Sequence, residues 1–183
     1  MKIIFLGIQG SGKSTQAKIA AEKLSLPYIE TSQLLREKSN GEDEDAKQIA
    51  NAFEKGNLVV DEITIRALKE RLKTKDCQKG YILDGYPRNE IQFQNLDSDI
   101  GRVFYVKVSD EEAIRRLSKR ARHDDTGKAL KRRMDLYHRQ TEPVLDKFRE
   151  KGILEEVDGE RSIKEIAKDI ESKVLNYAKK HAG

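Results

Sequence analysis

At 183 residues the chain is long enough for one domain with a sizeable core, and Cys77, its only cysteine, excludes an internal disulfide and a cysteine-rich metal site. Lysine and arginine number 36 against 32 aspartate and glutamate, a net charge of +4 that names no partner by itself. The charge is uneven, however: Arg115 to Arg133 is basic apart from Asp124 and Asp125, and Glu37 to Asp45 is acidic, so the basic stretch implies a polyanion, either nucleic acid or a nucleotide triphosphate.

The apolar run Met1–Leu6 is far too short to span a membrane, and Gly7 and Gly10 break it before it could act as a signal peptide. A cytoplasmic protein without a membrane partner is expected. In chain order, Lys2–Leu6 reads as a buried strand and Gly12–Leu24 as a helix with Ile19, Ala20 and Leu24 turned inward. Tyr28–Glu30 follows Pro27 as a short strand. The helix-patterned stretch from Thr31 to Asn57 carries no core strand and reads as an inserted lobe. Next come a helix over Asp61–Thr74, a strand over Gly80–Asp84, a helix over Asn89–Leu96, a strand over Arg102–Val108 and a helix over Asp110–Arg120. One long helix is expected from Thr126 to Lys151, then a strand over Ile153–Val157 and a last helix over Ser162–Lys179.

This alternation predicts an α/β fold, a parallel sheet with helices on both faces, and such sheets bind ligands at the carboxyl ends of their strands. No repeat, low-complexity tract or proline-rich linker divides the chain, so residues 1–183 are expected to form a single domain. Cys77 reads as a small, partly buried residue ahead of a strand. His123, His138 and His181 share no metal-ligand spacing and read as surface or packing residues.

Directly after the first strand stands GIQGSGKST, Gly7–Thr15, which satisfies G-x-x-x-x-G-K-[ST] with Gly7, Gly12, Lys13 and Ser14. Glycines allow backbone N–H groups to converge on phosphate oxygens, and the helix that begins there adds its positive end. Gly10, Ser11 and Gly12 then form the cradle, Lys13 reaches the outer phosphates, and the hydroxyl of Ser14 or Thr15 can serve Mg²⁺. Asp84 ends an apolar strand where a carboxylate can face that metal through water.

Asp84 continues into Gly85-Tyr86-Pro87-Arg88. With the P-loop, this DGYPR run resembles the adenylate kinase family of nucleoside monophosphate kinases, and the resemblance covers nearly the whole chain. TSQLLR (Thr31–Arg36) is similar to the family's TGDLLR element, GNLVVDE (Gly56–Glu62) to its G-x-L-V-x-D-E element, and VDGERS (Val157–Ser162) to the loop that touches the donor adenine. RLSKRARHDDTGKALKRRMDLYH resembles the lid and the helix behind it. The resemblance implies a P-loop kinase with a five-stranded parallel sheet, an inserted monophosphate-binding lobe at about 30–59 and a short lid at about 120–126. The lid leaves no room for the insertion, sometimes with zinc cysteines, of longer-lidded members.

Carried over by position, the resemblance implies that Arg36 and Arg88 hold the AMP phosphate, with Gly85 beside them. Thr31 and Gln92 lie near the acceptor adenine, and Asn57, Leu58 and Val59 line it. Arg116 stacks on the ATP adenine, Arg161 belongs to the donor loop, and Arg120, Arg122 and Arg133 converge on the phosphates at transfer. Planar guanidinium forks suit phosphate oxygens. Lys13, Arg88, Arg120, Arg122 and Arg133 are thus the catalytic candidates, with ATP and AMP as partners, Mg²⁺ as cofactor and a monomer expected. Arg115, Lys119, Lys128, Lys131 and Arg132 read as solvated helix surface. Two departures stand out: Gln9 replaces the family's usual proline in G-x-P-G, and Ser14 replaces its glycine after the P-loop lysine.

Rival readings are a UMP/CMP kinase, which Asn89 suggests and Thr31 and Gln92 oppose, and a nucleic-acid-dependent P-loop ATPase. The latter wants aromatic residues among the basic ones, and Tyr137 is isolated there.

Overall fold

The computed structural model describes residues 1–120 and 127–180. The lid expected over 120–126, with Arg122 in it and the side chain of Arg120, lies outside the described part of the chain, as do His123 and His181. Strands β1 (Lys2–Leu6), β2 (Tyr28–Glu30), β3 (Tyr81–Asp84), β4 (Arg102–Lys107) and β5 (Leu154–Asp158) form one five-stranded sheet in the order β2-β3-β1-β4-β5. Every pairing is parallel, with Lys2 opposite Tyr81, Ile3 opposite Arg102, Tyr28 opposite Ile82 and Val103 opposite Leu154. The expected α/β architecture is present.

Side chains on a strand alternate between faces, and here both faces are covered. Ile3 and Phe5 on β1, Ile82 on β3, and Phe104 and Val106 on β4 meet helices α1 (Lys13–Leu24) and α9 (Ile163–Lys180). Ile4, Leu6, Tyr81, Leu83, Val103 and Tyr105 point the other way, towards Leu68 of α4 (Asp61–Leu72), Ala113 of α6 (Asp110–Arg120), Met134 of α7 (Gly127–Leu136) and Phe148 of α8 (Val144–Glu150). Being buried on both faces is why these strands read as unbroken apolar runs.

Helix α1 buries Ala20 as expected, but its inward stripe is otherwise shifted. Gln16, Ala17, Ala20 and Ala21 are buried, while Ile19 and Leu24 are only half-buried. Alanines let the helix axis approach the sheet closely, and the stacked Phe5 and Phe104 rings, 5.3 Å apart, fill the space beneath. Helices α2 (Thr31–Lys38) and α3 (Glu44–Glu54) follow β2, contribute no strand, and join α4 around a separate apolar cluster of Leu35, Ile49, Val59, Ile63 and Ala67. The N-terminus of α3 is capped by Asp43, whose carboxylate accepts from Ala46 N–H at 2.7 Å.

The single helix expected from Thr126 to Lys151 is interrupted. Helix α7 stops at Leu136, a π-type turn occupies Tyr137–Thr141, and α8 resumes at Val144. Pro143 supplies the reason: it has no N–H to donate, and its ring displaces the carbonyl four residues back. The wider turn leaves Thr141 free to donate its hydroxyl to the Arg88 carbonyl at 2.8 Å. Cys77 is buried in a short turn before β3. His138 is exposed, with its ring nitrogens 2.8 Å from Glu142 and 3.1 Å from Asp110. Among the described residues no helix is long and apolar enough to cross a membrane.

Candidate active site

The loop between β1 and α1 lies at the carboxyl edge of the sheet. Gly10 has φ +87°, and a Cβ there would stand 2.6 Å from the Ala113 carbonyl, so the loop packs against the backbone of α6 with no space for a side chain. Ser11 is fully buried behind the loop, and its hydroxyl lies 3.4 Å from the Lys13 N–H that it accepts. Arg116 on α6 donates to the Ser11 carbonyl at 3.2 Å and to the Gly159 carbonyl at 2.9 Å, tying the loop to the turn after β5. Glu112 orients that guanidinium through a 2.5 Å bond to Nε. Hydrogen bonds from Arg115 and Arg116 hold Glu112 itself down to about 2.

Lys13 opens α1 and is half-buried. Burial pushes its ammonium below the usual lysine value; Asp84 and Glu30 oppose that shift and Arg88 adds to it. Arg88 is lowered in the same way, first by burial, with Arg133 and Arg36 adding and Asp84 and Glu30 opposing. Two cations are thus held close together with incomplete compensation, which is a receptive environment for phosphate. Arg88 is aimed by the bond from its Nε to the Gly85 carbonyl at 2.9 Å. Gly85 has φ +75°, and a Cβ there would lie 3.3 Å from the Arg88 guanidinium. The Tyr86–Pro87 peptide between them is cis.

Asp84 ends β3, buried to 1 % exposure. Its Oδ2 accepts from the Tyr28 hydroxyl at 2.8 Å, and Glu30 Oε2 lies 3.0 Å from the same hydroxyl. Burial, then the charge of Asp84, holds the Tyr28 phenol above its usual range, so it stays a donor. Asp84 Oδ1 is buried with no hydrogen-bond partner, and such atoms call for an explanation.

A cavity of about 310 Å³ opens over these groups. Of the residues singled out from the sequence, Gly10, Gly12, Lys13, Ser14, Thr15, Asp84, Arg116 and Arg133 line it, together with Arg36, Asn57, Leu58, Gly85 and Arg88. A smaller cavity of about 30 Å³ adjoins it, and Asn57, Leu58, Gly85 and Arg88 line both. Thr31, Val59 and Gln92 line only the smaller one. The Thr31 hydroxyl is buried there without a hydrogen-bond partner. The Gln92 amide is buried too, but it is already engaged: Oε1 accepts from Arg88 N–H and Nε2 donates to Asp61, both at 2.8 Å.

Ser11 lines neither cavity, and nor does Arg161, which donates to Asp169 at 2.7 Å. Glu30, Tyr28, Thr141 and Phe53 were not singled out from the sequence. Glu30 and Phe53 line the larger cavity, where the Arg36 guanidinium stands 5.7 Å from the Phe53 ring centre. Position at the carboxyl end of a strand is the signal that could have found Glu30. Chemically, the arrangement offers two adjoining cavities: the P-loop and Lys13 border the larger, the unpaired Thr31 hydroxyl the smaller, and Arg88 both.

A family model for adenylate kinase matches residues 5–153. The chain is similar to an adenylate kinase of Prochlorococcus marinus, at 37% identity over 178 residues that cover 93% of this chain and 95% of the relative. It is also 36% identical to an adenylate kinase of Archaeoglobus fulgidus, covering 94% and 97% of the two chains, and 38% identical to adenylate kinase 1 of Synechocystis, covering 94% and 96%.

Proposed function

The chain belongs to the adenylate kinase family, and from that premise we propose that it moves the terminal phosphoryl group of MgATP reversibly to AMP, giving two ADP. The observation that carries the reading is the pair Lys13 and Arg88. Both are desolvated cations; Lys13 lines the larger cavity beside the P-loop, and Arg88 lines both that cavity and the second one, bordered by Thr31 and Gln92. On this reading the triphosphate lies on Gly10, Gly12, Lys13, Ser14 and Thr15, with Arg116 and Arg161 on the donor side. AMP lies in the lobe at about 30–59, its phosphate on Arg36 and Arg88, with Asn57, Leu58, Val59 and Gly85 around it.

The acceptor phosphate oxygen is itself the nucleophile. Its bond to the transferring phosphorus forms as the bond from that phosphorus to the bridging oxygen of ATP breaks, and the electron pair leaves with ADP. No general base is needed, so catalysis consists of alignment, charge neutralisation and exclusion of water. Lys13 and Arg88 neutralise the transferring group from both sides, joined by Arg133 and, from the lid, Arg120 and Arg122. Closure of that lid, at about 120–126, keeps water from intercepting the phosphoryl group.

Mg²⁺ fits the donor set. The unpartnered Asp84 Oδ1 suits a water on the ion, and the Ser14 and Thr15 side chains border the same cavity. Bound with the nucleotide, the ion supplies charge neutralisation on the outer phosphates. Ser14 stands where generic P-loops place a metal ligand. Ser14→Gly should therefore raise the magnesium concentration needed for half-maximal turnover, read from a titration at fixed ATP; an unchanged titration assigns the metal hydroxyl to Thr15 instead.

Asn89, the residue that suggests a pyrimidine acceptor, has a structural occupation. Its Oδ1 caps the helix α5 (Glu90–Gln94) by accepting from Gln92 N–H at 2.9 Å, and its Nδ2 bonds Asp61. A coupled assay with ATP and each of the four common monophosphates tests the function. AMP should be clearly preferred over CMP and UMP, and polynucleotides should not stimulate ATP hydrolysis. CMP or UMP outperforming AMP would overturn the adenylate reading, and hydrolysis without any monophosphate would overturn the transferase.

A further inference from the structure

The Gln92 side chain is 2 % exposed, and its amide is held from both ends. Oε1 accepts from the Arg88 backbone N–H at 2.8 Å; Nε2 donates to Asp61 Oδ1 at 2.8 Å. Asp61 opens α4, thirty-one positions earlier in the chain, and its carboxylate is itself steadied by Asn89 Nδ2 at 2.8 and 3.0 Å. A backbone N–H can only donate and a carboxylate can only accept. Turning the amide over would set NH₂ against N–H and C=O against carboxylate, two repulsive contacts in a buried place. The amide therefore has one allowed sense. With one hydrogen and one lone pair committed, one hydrogen on Nε2 and one lone pair on Oε1 remain, and Gln92 borders the smaller cavity beside Thr31.

We propose that Asp61, acting with the Arg88 N–H through their hydrogen bonds to Gln92, sets the sense in which the site reads its acceptor base, admitting a 6-aminopurine and rejecting a 6-oxopurine. The inference rests on the reading of Gln92 as the residue that meets the acceptor base. A 6-aminopurine presents an acceptor ring nitrogen beside a donor amine, the complement of the free N–H and lone pair. A 6-oxopurine presents the reverse, a ring N–H beside a carbonyl oxygen. The two bases have nearly the same size, so shape alone cannot separate them, whereas mispaired polar groups in a buried site can. Asp61 lines neither cavity. It is a positioning residue.

The test compares kcat/KM for AMP and IMP in the wild type and in Asp61→Asn, which keeps the shape and removes one of the two repulsions against an overturned Gln92, leaving only the Arg88 N–H to resist it. The AMP-to-IMP ratio should fall by about threefold to tenfold, the scale of one relieved polar mismatch, through a higher KM for AMP and a lower one for IMP. The KM for ATP and the turnover at saturating AMP should hold. A merely structural role at the start of α4 would depress both acceptors in proportion, and an unchanged ratio overturns the proposal while leaving the kinase intact. Wild-type protein that phosphorylates IMP as well as AMP does the same. Wild-type protein that phosphorylates neither overturns the kinase reading, and the inference with it. Should Asp61→Asn fail to fold, the ¹⁵N-labelled wild type decides without nucleotide: slow solvent exchange of the Gln92 Nε2 proton that Asp61 accepts supports the anchored amide, and fast exchange of that proton overturns it.

Discussion

Replacing Lys13 by alanine should lower turnover of MgATP with AMP by at least roughly a hundredfold, with the protein still folded. Burial already pushes the ammonium below the usual lysine value, so it contributes little to holding the empty fold together. Its value is electrostatic and appears when phosphate charge arrives in a site where water cannot screen it. The folded pKa lies below the unfolded one, so at neutral pH the charged lysine disfavours the native state, and removing it removes that cost. Steady-state kinetics and a thermal melt together check this. Near-normal turnover in a folded variant would sink the P-loop assignment, and a large drop in melting temperature would show that the lysine holds structure.

Arg88→Ala should raise the KM for AMP by about tenfold to a hundredfold, the scale of losing charge-assisted hydrogen bonds to a phosphate, and should lower kcat as well. The KM for ATP should change far less. Arg36→Ala, in the larger cavity, should show the same asymmetry without the loss of the Gly85 contact that Arg88 makes. Initial rates with each nucleotide varied in turn supply the comparison. A rise in the ATP constant with the AMP constant unmoved would mean that donor and acceptor ends have been exchanged in the proposed function.

The central strands β1, β3 and β4 were legible because burial on both faces leaves them mostly apolar, while β2 and β5, which carry Glu30, Glu155, Glu156 and Asp158, show less of that signal; all five begin and end within a residue or so of their expected bounds. The cradle was legible because Gly7, Gly12 and Lys13 must stand in a set spacing for backbone donors to converge. The break at Pro143 was also written in the chain, and the helical pattern on either side concealed it. What could not be read was cooperation across distance. The resemblance placed Gln92 near the acceptor adenine, but nothing in the sequence says that Asp61 and Arg88 each hold one end of its amide. Tyr28 was only a strand residue until parallel pairing of β2 with β3 put its hydroxyl against Asp84. Periodicity says which face a residue takes; it does not say which side chain waits on that face from another element.

Strand order has a consequence for how the protein is made. β1 leaves the ribosome before the other four strands, yet it lies in the middle of the sheet, between β3 and β4. β2 emerges next and offers it nothing, since β2 pairs with β3 alone. No ladder of this sheet can therefore begin until Tyr81–Asp84 has appeared. At about 5–20 residues per second that interval lasts roughly 4–16 s. Through it the run Ile3–Leu6 stays without its strand partners, β3 and β4. The cradle that starts at Gly7 acquires its footing only after the strand bearing Asp84 has arrived, so the two halves of the site are born together.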